Sequence, residues 1–184
     1  MPISAFEFEK KLIQYASPTL AKLKTGNLFN IDSSFEQLHE CIDYYNELLN
    51  KKGIFLYLMT FKNRTMIYIY QKEKLMNLLN NSKIKKLFEH YQYSCTSPES
   101  LICDLQKRMA KDDFPHEIGM LLGYPLTDVI SFIDGKEHLY IGYWKVYSHV
   151  SQCKQTFRKY NKCTNEMIKR FVSGKRLEQL CQNI

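Results

Sequence analysis

In the stretch "FPHEIGMLLGYPLTDVISFI", residues 114–133, two neighbouring side chains are suited to moving a proton, His116 and Glu117. A zinc-hydrolase helix would need a second histidine four residues after the first, and Met120 stands there instead. A histidine beside a glutamate at a helix start also serves as a hydrogen-bonding pair, so local structure competes with catalysis as the explanation. His149 and Cys153, four apart, could share one helix face, with His138 as a third donor. Those donors fall short of a recognisable ligand set, so no metal site is assigned.

The stretch "GYWKVY", 142–147, holds the single tryptophan, Trp144, and strand alternation would place Lys145 on the opposite face. An aromatic wall beside a cation, with Tyr143 or Tyr147 as hydrogen-bond donor, would suit a small-ligand pocket. A core tryptophan next to a solvated lysine is the plainer account. The segment "SGKR" lacks the spacing of a phosphate-binding loop, and no Ser/His/Asp set can be picked out from sequence order.

These residues need a scaffold. Residues 5–16, "AFEFEKKLIQYA", read as a helix, and Pro18, Gly26 and Asn27 then break regular structure. Ser33 or Ser34 can cap a second helix, answered by Glu36 or Gln37, with Phe35, Leu38, Ile42, Tyr45 and Leu49 at helical spacing and Gly53 as the stop. "IFLYLMTF" and "TMIYIY", separated by "KNR", are β-branched and aromatic runs of strand length and read as an antiparallel hairpin. Both runs are apolar on both faces, so the hairpin should lie under helices. Further helices follow, including one opened by Ser97-Pro98 with Leu101, Leu105 and Met109 on one face. "LYIGYWKVY" reads as a third strand, and after it Val150, Cys153, Phe157, Tyr160, Met167 and Phe171 stripe a long helix closed by Gly174.

Within 114–133, Asp112 and Asp113 can cap a helix whose first turn holds Pro115 and whose inner face is Ile118, Leu121 and Leu122. Gly123 would end it in a left-handed conformation, and Leu126, Val129, Ile130 and Ile133 define a second short helix. Two helices around a glycine turn outline a helix-turn-helix, but the second offers Thr127, Asp128, Ser131 and Asp134 where a DNA reader needs Arg, Lys, Asn or Gln.

The chain carries a formal net charge of +7, and all of it is local. Residues 145–184 hold nine cations, among them Lys154, Arg158, Lys159, Lys162, Lys169 and Arg170, against two acids, Glu166 and Glu178; the remainder balances at 17 of each sign. A surface of this kind attracts acidic partners. The amino terminus has charges within its first ten residues and no signal-peptide core, and no stretch approaches a membrane span. A cytoplasmic protein with no membrane association is expected, its six scattered cysteines free thiols.

The combination of "PHEIG", "LGYP" and "GYWKVY", followed by "CKQTFRKYNKC" and "SGKRLEQL" and preceded by "SPTLAKLKTGNLF", resembles an uncharacterised bacterial domain-of-unknown-function family (3793-type) over nearly the whole chain. The resemblance implies a small soluble protein and brings no reaction, cofactor or partner with it. His116, Glu117, Gly119, Gly123, Tyr124, Pro125, Asp128, Trp144, Lys145 and Tyr147 fall on signature positions. A cysteine often precedes the Gly-Tyr-Trp of that family, and here Ile141 takes its place, which weakens any cysteine-based chemistry.

The expectation is therefore one α+β domain over 1–184: a small, mostly antiparallel sheet (hairpin 54–70 plus a strand at 139–147) covered by several helices, the last one long. The leading functional expectation is a binding or adaptor module whose basic carboxy-terminal helices dock an acidic protein, a flavodoxin-like redox protein for instance. One alternative is a small-molecule binder or enzyme with a pocket near His116, Glu117, Tyr124, Asp128, Trp144, Lys145 and Tyr147. The other is nucleic-acid binding by the tail. No cofactor is specified.

Overall fold

The computed structural model describes residues 3–32, 37–111 and 113–181. The proposed Ser33, Ser34 and Glu36 cap, Phe35 and Asp112 lie outside them. Helix α1, Ile3–Leu20, runs past the point where Pro18 was expected to break it. A proline there removes one helical N–H, but Ala16, Ser17 and Leu20 around it are fully enclosed, and tertiary packing holds the last turn. Strand β1, Gly26–Ile31, follows where irregular chain was expected. Helix α2, Leu38–Asn50, buries Leu38, Ile42, Tyr45 and Leu49 as their spacing requires, and Gly53 (φ 75°) supplies the left-handed turn after it.

Strands β2, Ile54–Phe61, and β3, Arg64–Gln71, form the expected hairpin around Lys62 and Asn63, with Lys62 at φ 52°. The sheet order is β1-β3-β2, antiparallel throughout, with Leu28 and Tyr57 both opposite Tyr68. Central β3 is buried on both faces from Met66 to Gln71, whereas edge strand β2 leaves Tyr57 in solvent. On one face Ile54, Leu56, Ile67 and Ile69 join α1, α2 and Met167 in a core. On the other, Met59, Met66, Tyr68 and Tyr70 pack against α3 (Lys72–Leu79), α4 (Ser82–His90) and α5 (Pro98–Met109). Ser97 caps α5 through Ser100, with Pro98 in the first turn.

The segment 114–133 turns a corner on this second core. Helix α6 is only Ile118–Leu121, shorter than the sequence suggests, because His116 and Glu117 form a turn ahead of it and Asp113 caps nothing. Gly123 is left-handed (φ 78°), as expected, and a Cβ there would lie 2.9 Å from Thr25 Oγ1. Helix α7, Leu126–Ile133, buries Val129. The expected third strand is instead a separate two-stranded hairpin, β4 (Tyr140–Ile141) and β5 (Lys145–Val146). At its turn Gly142 lies against Phe157, where a Cβ would come within 2.1 Å of the ring. Helix α8, Val150–Val172, buries Cys153, Phe157, Tyr160 and Met167 and packs along α1. Its end leads to α9, Leu177–Leu180, which Glu9 of α1 tethers through the Leu177 N–H and Arg176. Among the described residues no helix is long and apolar enough to cross a membrane.

Candidate functional site

The α6–α7 corner and the β4–β5 hairpin enclose a cleft of about 270 Å³. Phe114, Leu122, Tyr124, Phe132 and Trp144 supply apolar and aromatic walls, and His116, Tyr143 and Lys145 complete the lining. The glycine at 119 makes room for it: a Cβ there would meet Val129 Cγ2 at 2.8 Å and Tyr124 Cδ2 at 3.0 Å. His116 stands edge-on to Phe132, 4.9 Å between centroids, and Lys145 Nζ lies 5.1 Å from the same ring. Both polar side chains are exposed, so two nitrogen-bearing groups meet one aromatic ring where the cleft opens to solvent.

Asp128 holds the hairpin side of the cleft in place. Although it lies on the face of α7 expected to meet solvent, it is only 2% exposed. Its carboxylate accepts the Trp144 indole N–H at 2.8 Å and the Tyr147 backbone N–H at 3.1 Å. The acid on α7 is thus a bolt for β5. Trp144 stacks on Tyr124 at 4.9 Å and meets Phe157 edge-on at 4.5 Å. Tyr124 in turn donates its hydroxyl to the Tyr143 carbonyl at 3.2 Å, and burial pushes its phenol up to about 12.

Glu117 turns away from the cleft. It is 1% exposed, paired with Arg108 Nε at 2.9 Å and accepting the Tyr93 hydroxyl at 3.1 Å, which ties the corner to α5. Burial and the adjacent Glu117 carboxylate raise the Tyr93 phenol well above its ordinary range. Tyr147 contributes its backbone N–H to Asp128 and does not line the cleft. So the cleft gathers five of the seven expected pocket residues, His116, Tyr124, Asp128, Trp144 and Lys145, and leaves out Glu117 and Tyr147. Glu117 and Asp128, both expected at the pocket, each have a structural duty, Glu117 towards α5 and Asp128 towards β5.

Trp144 also borders a second cavity of similar size, which reaches Ser148, His149, Gln152 and Tyr160 along α8. His149 and Cys153 both line it, but no group of three or more His, Cys, Asp or Glu suited to a metal ion occurs among the described residues.

The outer face of α8 carries the charge. Arg158, Lys159, Lys162 and Lys169 are exposed and make no ion pair with any described residue, while Arg170 is paired with Glu166 at 3.0 Å. Lys154 folds its amine onto the Tyr140 ring, 4.4 Å from the centroid.

One residue near the cleft carries no distinguishing mark in the sequence. Lys24 is 4% exposed, with its amine 5.5 Å from the Tyr124 ring centre and 5.9 Å from that of Tyr143. The amine makes no hydrogen bond or ion pair with any described residue, and burial alone lowers it to about 8. Lys22, two residues earlier, is exposed, and nothing in "LAKLKTG" tells the two apart.

This architecture defines an α+β protein with an aromatic cleft set beside its main sheet. Residues 12–181 match the family described as Protein of unknown function (DUF3793), and the chain belongs to that family. No curated protein and no solved structure matches it.

Proposed function

We propose that the chain is a cytoplasmic binding protein for a small, flat, anionic ligand held in the cleft between the α6–α7 corner and the β4–β5 hairpin. The observation that supports this reading most is the meeting of His116 and Lys145 on the one Phe132 ring, in a cavity whose other lining is mostly apolar and aromatic. Aromatic walls favour a planar body, and a cation and a histidine at the rim favour a carboxylate or phosphate at its end. The volume, about 270 Å³, suits a ligand of one or two rings. His116, at the rim, is the group placed to exchange a proton with the bound molecule.

Trp144 is the single tryptophan, so its emission reports the cleft without labelling. Titration with a panel of aromatic carboxylates and phosphate esters should shift or quench that emission, and Lys145→Met should weaken the anionic members more than their neutral analogues. A panel that leaves the emission unchanged at millimolar concentration overturns the reading.

A second reading rests on α8. Its exposed and unpaired Arg158, Lys159, Lys162 and Lys169, together with Lys154 and Arg170, form a surface for an acidic protein partner, of which a flavodoxin-like protein is one instance. Binding of such a partner should weaken as salt rises and fail when Lys154, Arg158 and Lys162 are reversed to Glu. Salt-sensitive retention of random DNA instead would assign the surface to nucleic acid.

A further inference from the structure

Three stretches distant in the chain meet at Lys24: its own "SPTLAKLKTGNLF", the "LGYP" that supplies Tyr124 and the "GYWKVY" that supplies Tyr143. A lysine enclosed to this degree ordinarily has a carboxylate beside it. Here the groups it faces are two phenol rings, and both rings also wall the cleft. The amine is nevertheless not sealed. Among the described residues the only fully enclosed side-chain nitrogen or oxygen without a hydrogen bond is Gln106 Oε1, so the equally unbonded Lys24 amine keeps some contact with solvent.

We infer that Lys24 is a reactive amine at which a carbonyl compound entering beside Tyr124 and Tyr143 forms an imine. The inference rests on the cleft reading for the room the carbonyl compound occupies and goes beyond it in assigning a covalent step. The nitrogen lone pair adds to the carbonyl carbon, and the carbonyl π electrons move to oxygen, which takes up a proton. One N–H proton having passed to that oxygen, the carbinolamine expels it as water together with the second N–H proton, so amine and carbonyl become imine and water with no change of oxidation state. A desolvated lysine suits this step because a larger fraction of it is the neutral, nucleophilic form. With the amine at about 8, that fraction at pH 7.5 exceeds the fraction for a solvated lysine by on the order of 100-fold. The ligand class becomes an aldehyde or ketone carrying an anionic group.

The test is reductive trapping. The full chain is incubated with 4-carboxybenzaldehyde and cyanoborohydride, and modified lysines are located by peptide mapping. Lys24 should acquire the benzyl group well before the exposed Lys62 and Lys169, and its rate should level off above pH 8 while theirs keeps rising. Modification of Lys62 and Lys169 with Lys24 untouched, or one shared pH profile, overturns the inference. Lys24→Arg keeps the charge and should abolish trapping at that position; if that variant fails to fold, the wild-type pH profile decides alone. Trp144 emission, followed in the same mixture without reductant, separates the two claims. A response with Lys24 unmodified overturns the imine and leaves the cleft reading standing, and trapping without a response does the reverse.

Discussion

Replacing Lys24 by Met should stabilise the protein, and the gain should depend on pH in a way that no packing change imitates. The side chains are similar in length, so the substitution removes a buried cation while largely keeping its volume. Burial lowers the amine from 10.5 to about 8, which at 1.36 kcal/mol per pH unit is a cost of about 3 kcal/mol for folding with the proton on. The sign follows from proton counts. Between about pH 8 and 10.5 the unfolded chain holds the Lys24 proton and the folded chain does not, so wild-type stability from this group rises across that window. Below pH 8 both states are protonated and the penalty is present in full. The stability difference between Lys24→Met and wild type should therefore be about 3 kcal/mol at pH 7 and shrink towards zero by pH 10.5. Urea unfolding of both proteins from pH 6 to 10 measures it. The difference is needed because buried thiols and phenols act oppositely in the wild type alone: burial raises Cys181 from 9.0 to about 11, so its contribution is lost as alkali is added. A difference that stays constant from pH 7 to 10, or a variant less stable than wild type at pH 7, refutes the reasoning.

Other substitutions probe the walls. Glu117→Gln removes the carboxylate that Arg108 and Tyr93 share and should cost about 1–3 kcal/mol by urea unfolding. Its effect on ligand affinity at the cleft, read from Trp144 emission, should be small, because Glu117 turns away from the cavity. Asp128→Asn should loosen β5 by a similar amount, about 1–3 kcal/mol, and red-shift the Trp144 emission as the indole N–H loses its ionic acceptor. Gly142→Ala drives a methyl into Phe157 and should lower the melting temperature by several degrees, roughly the effect of a 1–3 kcal/mol overpacking. An unchanged melting temperature would mean that the hairpin reverses by another route.

Periodicity exposed those elements that bury one regular face. The β2–β3 hairpin, the Ser97 cap and the stripe on α8 were all legible because local spacing and partner agree there. Strand β1 was not, since "GNLFNI" acquires strand character from pairing with β3, a partner nearly forty residues on, and its glycine is needed where Leu121 O approaches within 2.8 Å of a Cβ position. The length of α1 was hidden for the related reason that enclosure overrides the local cost of Pro18. At the site, residue type singled out His116, Trp144 and Lys145, the family signature added Tyr124, and the structural duties of the two acids stayed out of sight. A carboxylate on a short helix reads as solvated until the indole and amides that it accepts are placed beside it. The hairpin at 139–147 looked like one strand because alternation continues through Gly142, and only the pairing of Tyr140 with Val146 and of Ile141 with Lys145 shows that the chain reverses there.

The junction beneath the cleft has a consequence for the order of assembly. Gly26 against Leu121 O, the Tyr68 hydroxyl donating to that same oxygen at 2.9 Å, and Gly123 against Thr25 all join parts of the chain separated by at least fifty residues. Contacts of such separation carry a high loop-closure entropy and tend to form after local ones. On the ribosome, the three-stranded sheet has all its residues once position 71 has emerged, but the cleft lacks its hairpin wall until residue 145 and its Phe157 backing until later still. A nascent chain can therefore complete the sheet long before the cleft exists.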